Sequence, residues 1–225
     1  MRFQDAARDA RTVVYAGIQA DPLVARAAAL LVEATSAERL LARAAMNGER
    51  TEPETWRRIF PTLFGENAGA EISRHAELIL AASLEVAERG EAARSQYRGA
   101  IVEELTARLL ATRPVPDAPV KRERRVLFDG VRAEIHPNDV TVESAVRPEV
   151  YDCKWGARGS NADVLNQLDD ARANAAAEDL QLRVAIVVFD ARRSCEVRLD
   201  RSTANHDGTR LVALETLDEL AGAKP

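Results

Sequence analysis

The sequence predicts an α/β protein, with an α-helical N-terminal region ahead of a helix-strand-strand-strand-helix-strand core. Three observations carry this. Residues 1 to about 95 are rich in Ala and Leu, with apolar positions recurring every three or four residues. After about residue 99, short β-branched runs separated by turn residues replace that periodicity. Residues 182–189, Leu-Arg-Val-Ala-Ile-Val-Val-Phe, form an almost continuous apolar run, as expected of a central strand covered on both faces.

In chain order, Asp21-Pro22 opens and Asn47-Gly48 closes an Ala/Leu-rich helical stretch over 24–46. Thr51-Glu52-Pro53-Glu54 starts a short helix through Trp56, Ile59 and Phe60 that ends near Pro61. Ile72, Ala76, Ile79, Ser83 and Val86 step by three and four and predict an amphipathic helix. Gly90 and Gly99 are candidate interruptions. From Gly99 to Ala111, Ile101, Val102, Leu105, Leu109 and Leu110 form one apolar side of a helix. The proline-rich segment 113–119 reads as a linker. Strand-like runs follow at 125–128, continuing past Gly130 to Ile135, then at 140–142 and 150–155. Ser160, with Asp163 three residues on, is a capping pair for a helix over about 162–178. A last helical segment lies near 216–221. The expected domains are residues 1–95, an α-helical region for partner or substrate binding or oligomerisation, and 96–225, the chemical domain.

The chain of 225 residues carries a formal net charge of -5. That excludes a globally basic nucleic-acid binder. Residues 1–98 hold 13 basic against 14 acidic residues, and the remainder 18 against 22. Carboxylate ligands of a metal site would account for part of this acidic excess. Cys153 and Cys195 lack CxxC spacing, which argues against a zinc site or a disulfide framework. Charges stand where a signal peptide needs an apolar stretch, and no run approaches the roughly 20 apolar residues of a membrane span. The expectation is a cytoplasmic protein in a reducing compartment, with no membrane partner.

Tyr151-Asp152-Cys153-Lys154-Trp155 is the most informative stretch. Side chains alternate along a strand, so Asp152 and Lys154 share one face and Cys153 takes the other. Asp139 precedes this motif by thirteen residues, on a neighbouring predicted strand. Two carboxylates and an ammonium on one face are what metal-assisted phosphodiester cleavage requires. The bland alternative is a surface ion pair on an exposed strand.

Residues 99–190 resemble the PD-(D/E)xK, or restriction-endonuclease-like, nuclease superfamily in its Mrr-like variant. Four features match: the α-β-β-β-α-β order, Asp139 opening the second core strand, D-x-K at Asp152 and Lys154, and a glutamate on the first helix. Gly99, Glu103, Leu109 and Leu110 stand in the places of a G-x-x-x-E…L-L pattern. Asn138 is inserted between Pro137 and Asp139, and Asp152 stands where Glu is commoner.

The resemblance implies a mixed central sheet and a metal-dependent nuclease acting on DNA more than RNA, in restriction, phage defence or DNA repair. It implies Mg²⁺ or Mn²⁺ held by Asp139, Asp152 and the Cys153 backbone carbonyl, with Glu103 acting through water. Lys154 would orient or deprotonate the attacking water, or stabilise the pentavalent phosphorus. Glu103 lies nearer the buried helix side, whereas Glu104 has Arg108 four residues on as an exposed partner. Gln167, on the helix after D-x-K, either faces the site or faces solvent. Ser160 and Asn161 could hold a phosphate at that helix's N-terminus, or simply cap it. Arg158, Lys121, Arg122 and Arg124 are candidate phosphate contacts; a solvated surface and a charge-guarded strand edge are the alternatives. A catalytically inactive nuclease-like module, binding nucleic acid or assembling with a partner, is the competing reading. Homodimerisation or a protein partner would use the N-terminal helices.

Overall fold

The structure is a computed structural model that describes residues 1–6, 10–48, 52–113, 118–132 and 136–222. It is of the α/β class, with a helix-rich N-terminal region and a mixed sheet. Two compact units emerge: Ala10–Leu105, and Met1–Asp9 together with Thr106–Pro225. The chain begins with β1 (Arg2–Asp5) of the sheet unit. There follow α1 (Ala10–Gln19), α2 (Pro22–Val32), α3 (Ser36–Asn47), α4 (Pro53–Ile59), α5 (Pro61–Phe64), α6 (Ala70–Ala87) and α7 (Glu91–Ala111). The division between the units falls within α7.

In the helical unit, Asp21 Oδ1 accepts the Leu23 N–H at 2.8 Å, and Pro22 takes the first helical position, which needs no donor. The stretch expected as one helix over 24–46 is two. Thr35 caps α3: its hydroxyl accepts the Glu38 N–H at 3.3 Å, and Glu38 Oε2 accepts the Thr35 N–H at 2.7 Å. This reciprocal capping box offers the backbone a new helix start that an uninterrupted helix forgoes. The buried Arg39 guanidinium then donates to the Leu31 and Val32 carbonyls at 3.2 and 3.4 Å, satisfying the end of α2. Leu23, Val24, Ala27 and Leu31 join Leu41, Ala45, Ile79, Leu80 and Val86 in the core. Ala76, Ile79, Ser83 and Val86 are buried as their periodicity predicts, but Ile72, in the first turn of α6, is 45% exposed. Gly90, at φ +75°, breaks α6 from α7. Gly99 does not interrupt α7; a Cβ there would come to 3.1 Å from the Tyr15 hydroxyl.

The sheet unit continues with β2 (Val120–Phe128), β3 (Val131–Arg132), β4 (Asn138–Val142), β5 (Glu149–Lys154), a 3₁₀ turn (Ala157–Gly159), α8 (Ala162–Ala177), β6 (Arg183–Val188), α9 (Arg192–Asp200), β7 (Thr209–Val212) and a 3₁₀ segment (Leu214–Ala221). Strand order is β1-β2-β4-β5-β6-β7, with β3 paired to β2. Pairings are antiparallel from β1 to β5 and parallel across β5, β6 and β7. Asp129 and Gly130, both at positive φ, form the two-residue turn between β2 and β3. Residues 133–135, expected to continue that strand, lie outside the described residues, as does 114–117 of the expected linker.

Two further expectations change here. Residues 2–5 are a strand, not part of a helical region: they pair with β2, from Arg2 beside Leu127 to Asp5 beside Arg124. Four residues carry no period of their own, and the sheet edge recruits them. Asn161, not Ser160, caps α8, its Oδ1 accepting the Val164 N–H at 3.1 Å. The elements α9 and β7 were unassigned from sequence, α9 because only Cys195 and Leu199 of it are buried.

Val150, Leu168, Ala171, Ala175, Val184, Ile186 and Val188 form the core beneath α8. A polar knot closes the other end of β5. Glu149 lies between Arg113, at 2.7 Å, Arg183, at 3.5 Å, and the Tyr151 hydroxyl, which donates to it. Arg113 also donates from Nε to the Leu220 carbonyl at 2.5 Å. Burial alone would raise the Glu149 pKa, but the hydrogen bonds from Tyr151 and Arg113 outweigh it and hold the carboxyl below its usual value. Glu149 therefore contributes stability above its unfolded pKa of about 4.3, and this is lost as pH falls through its lower folded value. Arg113→Met, which leaves the buried carboxylate with only Arg183 and the Tyr151 hydroxyl, is expected to destabilise the protein by about 3 kcal/mol at pH 7. Urea denaturation across pH checks this: the difference from wild type should shrink as pH falls below the ordinary glutamate value of about 4.3 and through the lower folded value of Glu149.

Candidate functional site

The site is set by strand register. β4 and β5 pair Val140 with Tyr151 and Thr141 with Val150. Continuing that register places Asp139 beside Asp152, on adjacent strands. Alternation sends Asp152 and Lys154 to one face and Tyr151 and Cys153 to the other. Cys153 is buried, with its Sγ 3.5 Å from the Thr106 hydroxyl, as a small core residue. Trp155 stacks on Phe189 with ring centroids 5.1 Å apart.

Lys154 Nζ forms an ion pair with Asp152 Oδ1 and lies 3.8 Å from Asp139 Oδ2. Asp139 Oδ2 also accepts the Cys153 main-chain N–H at 2.6 Å, which fixes the carboxylate against the next strand. Asp152 is only 6% exposed. The Lys154 ammonium is the partner of its Oδ1. Burial pushes the Asp152 carboxyl up, and the Lys154 charge opposes that. Burial works to lower the Lys154 pKa, but the charges of Asp139 and Asp152 outweigh it and hold the amine above the ordinary lysine value. The two carboxylates thus favour the ammonium form of Lys154.

These three side chains line a cleft of about 580 Å³ with His136, Pro137, Asn161, Asp163, Val164, Asn166, Gln167 and Asp170. One wall is therefore the polar face of α8. The cleft lies past the C-terminal end of β5, where a parallel strand feeds its crossover helix, a recurrent place for ligands. Gln167 lines the cleft, and its amide also grips the His136 backbone: Nε2 donates to the carbonyl at 3.2 Å and Oε1 accepts the N–H at 3.5 Å. It pins the segment that leads into β4.

Several other expected residues are not among those lining this cleft. Glu103 belongs to the helical unit and is buried, accepting hydrogen bonds from the Tyr15 hydroxyl at 2.5 Å and Gln19 Nε2 at 2.8 Å. The glycine at 99, one turn before it, makes room for that hydroxyl. Ser160 is buried and Arg158 is exposed on the 3₁₀ turn. Arg124 is buried between Glu143, at 2.5 Å, and Asp5; Lys121 pairs with Glu143 at 3.4 Å. Carboxylates of the sheet unit thus neutralise two members of the basic run that phosphates were expected to meet. Lys121, Arg122, Arg124, Arg158 and Ser160 are not among the residues lining the cleft. The inserted Asn138 is a buried residue of β4, its amide donating to the Arg124 carbonyl at 3.3 Å.

Sequence reasoning missed Glu123. It sits inside the basic run at φ +54°, and a carboxylate oxygen of it lies within 4.8 Å of one from Asp139. An acid amid four basic residues was the available signal.

No known protein family matches the sequence, and no curated protein matches it. Among solved structures, the chain is similar to protein VC1899 from Vibrio cholerae, with a TM-score of 0.50 and 18% identity. The match covers 98% of this chain and 57% of that one, so this chain spans little more than half its length. At that identity the likeness concerns the fold alone. Among the described residues, no helix is long and apolar enough to cross a membrane.

Gly159 packs on the Lys154 stem: a Cβ there would come within 2.8 to 2.9 Å of its Cβ, Cγ and Cδ. Gly159→Ala must move Lys154 and is expected to destabilise the protein by about 1–3 kcal/mol. Urea denaturation of the variant measures this.

Proposed function

We propose that the sheet unit is a metal-dependent nuclease of the PD-(D/E)xK type, hydrolysing phosphodiester bonds of nucleic acid, with DNA the first substrate to test. The observation that carries this reading is the ammonium of Lys154 held against Asp152 and Asp139 at an open cleft. The donor set fits a divalent cation. Asp139 and Asp152 offer hard carboxylate oxygens beside the cleft. Bound Mg²⁺ or Mn²⁺ would polarise the scissile phosphate and acidify a water. The Cys153 carbonyl, on the strand between Asp152 and Lys154, is a third candidate ligand.

The chain's own residues have separate tasks in this reading. The Cys153 N–H orients Asp139. Lys154, kept charged by its two carboxylates, neutralises charge that develops on phosphate in the transition state instead of taking a proton from water. Gln167 holds the His136 backbone and so sets the cleft's rim. Glu103 accepts hydrogen bonds from Tyr15 and Gln19 within the helical unit. That unit is assigned to substrate contact, partner binding or self-association, and the protein to the cytoplasm, in restriction, phage defence or DNA repair.

The test is cleavage of supercoiled plasmid, single-stranded DNA and RNA with Mg²⁺ or Mn²⁺. Wild type should cut at least one of them, and chelator should stop it. Lys154→Ala should lose about 10²-fold or more in rate while its circular dichroism is unchanged. Equal behaviour of wild type and Lys154→Ala on all substrates would contradict the nuclease reading.

A further inference from the structure

Asp163, Asn166, Gln167 and Asp170 all line the cleft, and their spacing puts them on one face of α8. That face has the wrong charge for a duplex. Nucleic-acid backbones are held by Lys and Arg set against successive phosphates. Among the described residues that line the cleft, Lys154 is the sole lysine or arginine, and Asp139 and Asp152 already flank it. A divalent cation on those two carboxylates would offset their charge. Asp163 and Asp170, both exposed, then leave the helix wall negative. The same face suits a base. Asn161 caps α8 through its Oδ1, and the Gln167 amide holds the His136 backbone. Asn166, between the two aspartates, is exposed to the cleft. Carboxylate and amide oxygens accept from the exocyclic amine of adenine or cytosine, where guanine, thymine and uracil present a carbonyl oxygen. An asparagine amide also matches adenine with two hydrogen bonds. The cleft, at about 580 Å³, has the size of a small-molecule pocket and takes a nucleotide, not a duplex.

The geometry points to an unpaired adenine or cytosine, in a single-stranded stretch of DNA or RNA, as the group this cleft takes beside the scissile phosphate, with Asn166 as the residue that reads it. This rests on the nuclease reading above for the place of that phosphate, and it adds the substrate class and a specificity-determining residue. The cleft divides the substrate between its walls. Lys154 and the strand carboxylates deal with the phosphate, and the polar face of α8 meets the base edge, which a single strand leaves free. Asp163 and Asp170 act twice: they accept from the base amine and repel the phosphates of a second strand.

Cleavage and binding of short labelled oligonucleotides by the full chain test this. The strands are all-adenine, all-cytosine and all-thymine DNA, all-adenine, all-cytosine and all-uracil RNA, and a mixed-sequence DNA duplex. Rates are measured with Mn²⁺, and affinities by fluorescence anisotropy in chelator. Wild type is expected to favour adenine and cytosine strands by about tenfold or more, in rate and in affinity, over thymine and uracil strands and over the duplex. A preference confined to DNA or to RNA supports the inference and identifies the strand. Asn166→Ala should bring the adenine-to-thymine ratio to within about threefold of one, and Asn166→Gln, which keeps the amide, should restore part of it. Asp163→Asn combined with Asp170→Asn should tighten duplex binding, because two repelling charges are gone. All three positions are exposed, so the variants are expected to fold as wild type does. Equal treatment of adenine and thymine, a preference that survives Asn166→Ala, or a duplex bound as tightly as the single strands overturns the inference and leaves the nuclease reading standing. If wild type cuts no strand yet binds them in the predicted order, the nuclease reading falls and the base recognition is upheld. If it neither cuts nor binds any, both fall.

Discussion

The pairing of β4 with β5 is the constraint on which the site depends. It brings Asp139 beside Asp152 and sets both against Lys154. A slip of one residue would send Asp139 to the opposite face of the sheet and dissolve the cluster. Register is strongly specified here because the opposite face is buried: Val140, Val142, Tyr151 and Cys153 are all 5% exposed or less. The apolar residues of the two strands thus fix the position of the polar ones.

The rest of the sheet unit braces that pairing. β6 lies parallel to β5 and pairs with it from Glu149 to Lys154, so the strand bearing the motif is held along its whole length. At one end, Arg113, Arg183 and Tyr151 gather on Glu149. At the other, the Phe189 N–H donates to the Lys154 carbonyl at 2.8 Å, and the aromatic ring of Phe189 lies against Trp155. α8 covers the sheet with Leu168, Ala171 and Ala175 and presents Asn161, Asn166 and Gln167 to the cleft. One helix thereby serves the core on one side and the site on the other. A buried, charged cluster of this kind is a weak source of stability. Its persistence in a well-braced frame is a reason to look for chemistry there.

Much of this was legible in the sequence. Alternation alone placed Asp152 and Lys154 together and Cys153 opposite, because a strand's period of two leaves no other choice. The apolar run at 182–189 announced β6, and the stripe through Ala76, Ile79 and Val86 announced α6. The break between α2 and α3 was also written there, as Thr35-Ser36-Ala37-Glu38, but the Ala/Leu richness on both sides masked it. Other features needed the third dimension. β1 is a strand only because β2 offers it an edge. Arg124 reads as a phosphate contact until Asp5, distant in sequence, is found beside it. Glu123 hides among basic neighbours, and only the registers on both sides of β4 put it in a row with Asp139 and Asp152. Glu103 was expected on a buried side and is buried, but Tyr15 and Gln19, its hydrogen-bonding partners, could not be found from helical spacing.

The central claim is that the carboxylates aligned around Lys154 form a cation site. Crystals soaked in Mn²⁺ and measured for anomalous scattering address it most directly. A peak within coordination distance of Asp139 and Asp152, about 2.0–2.4 Å from their oxygens, is the predicted result. A well-occupied peak elsewhere on the chain, with none beside those two residues, would contradict it.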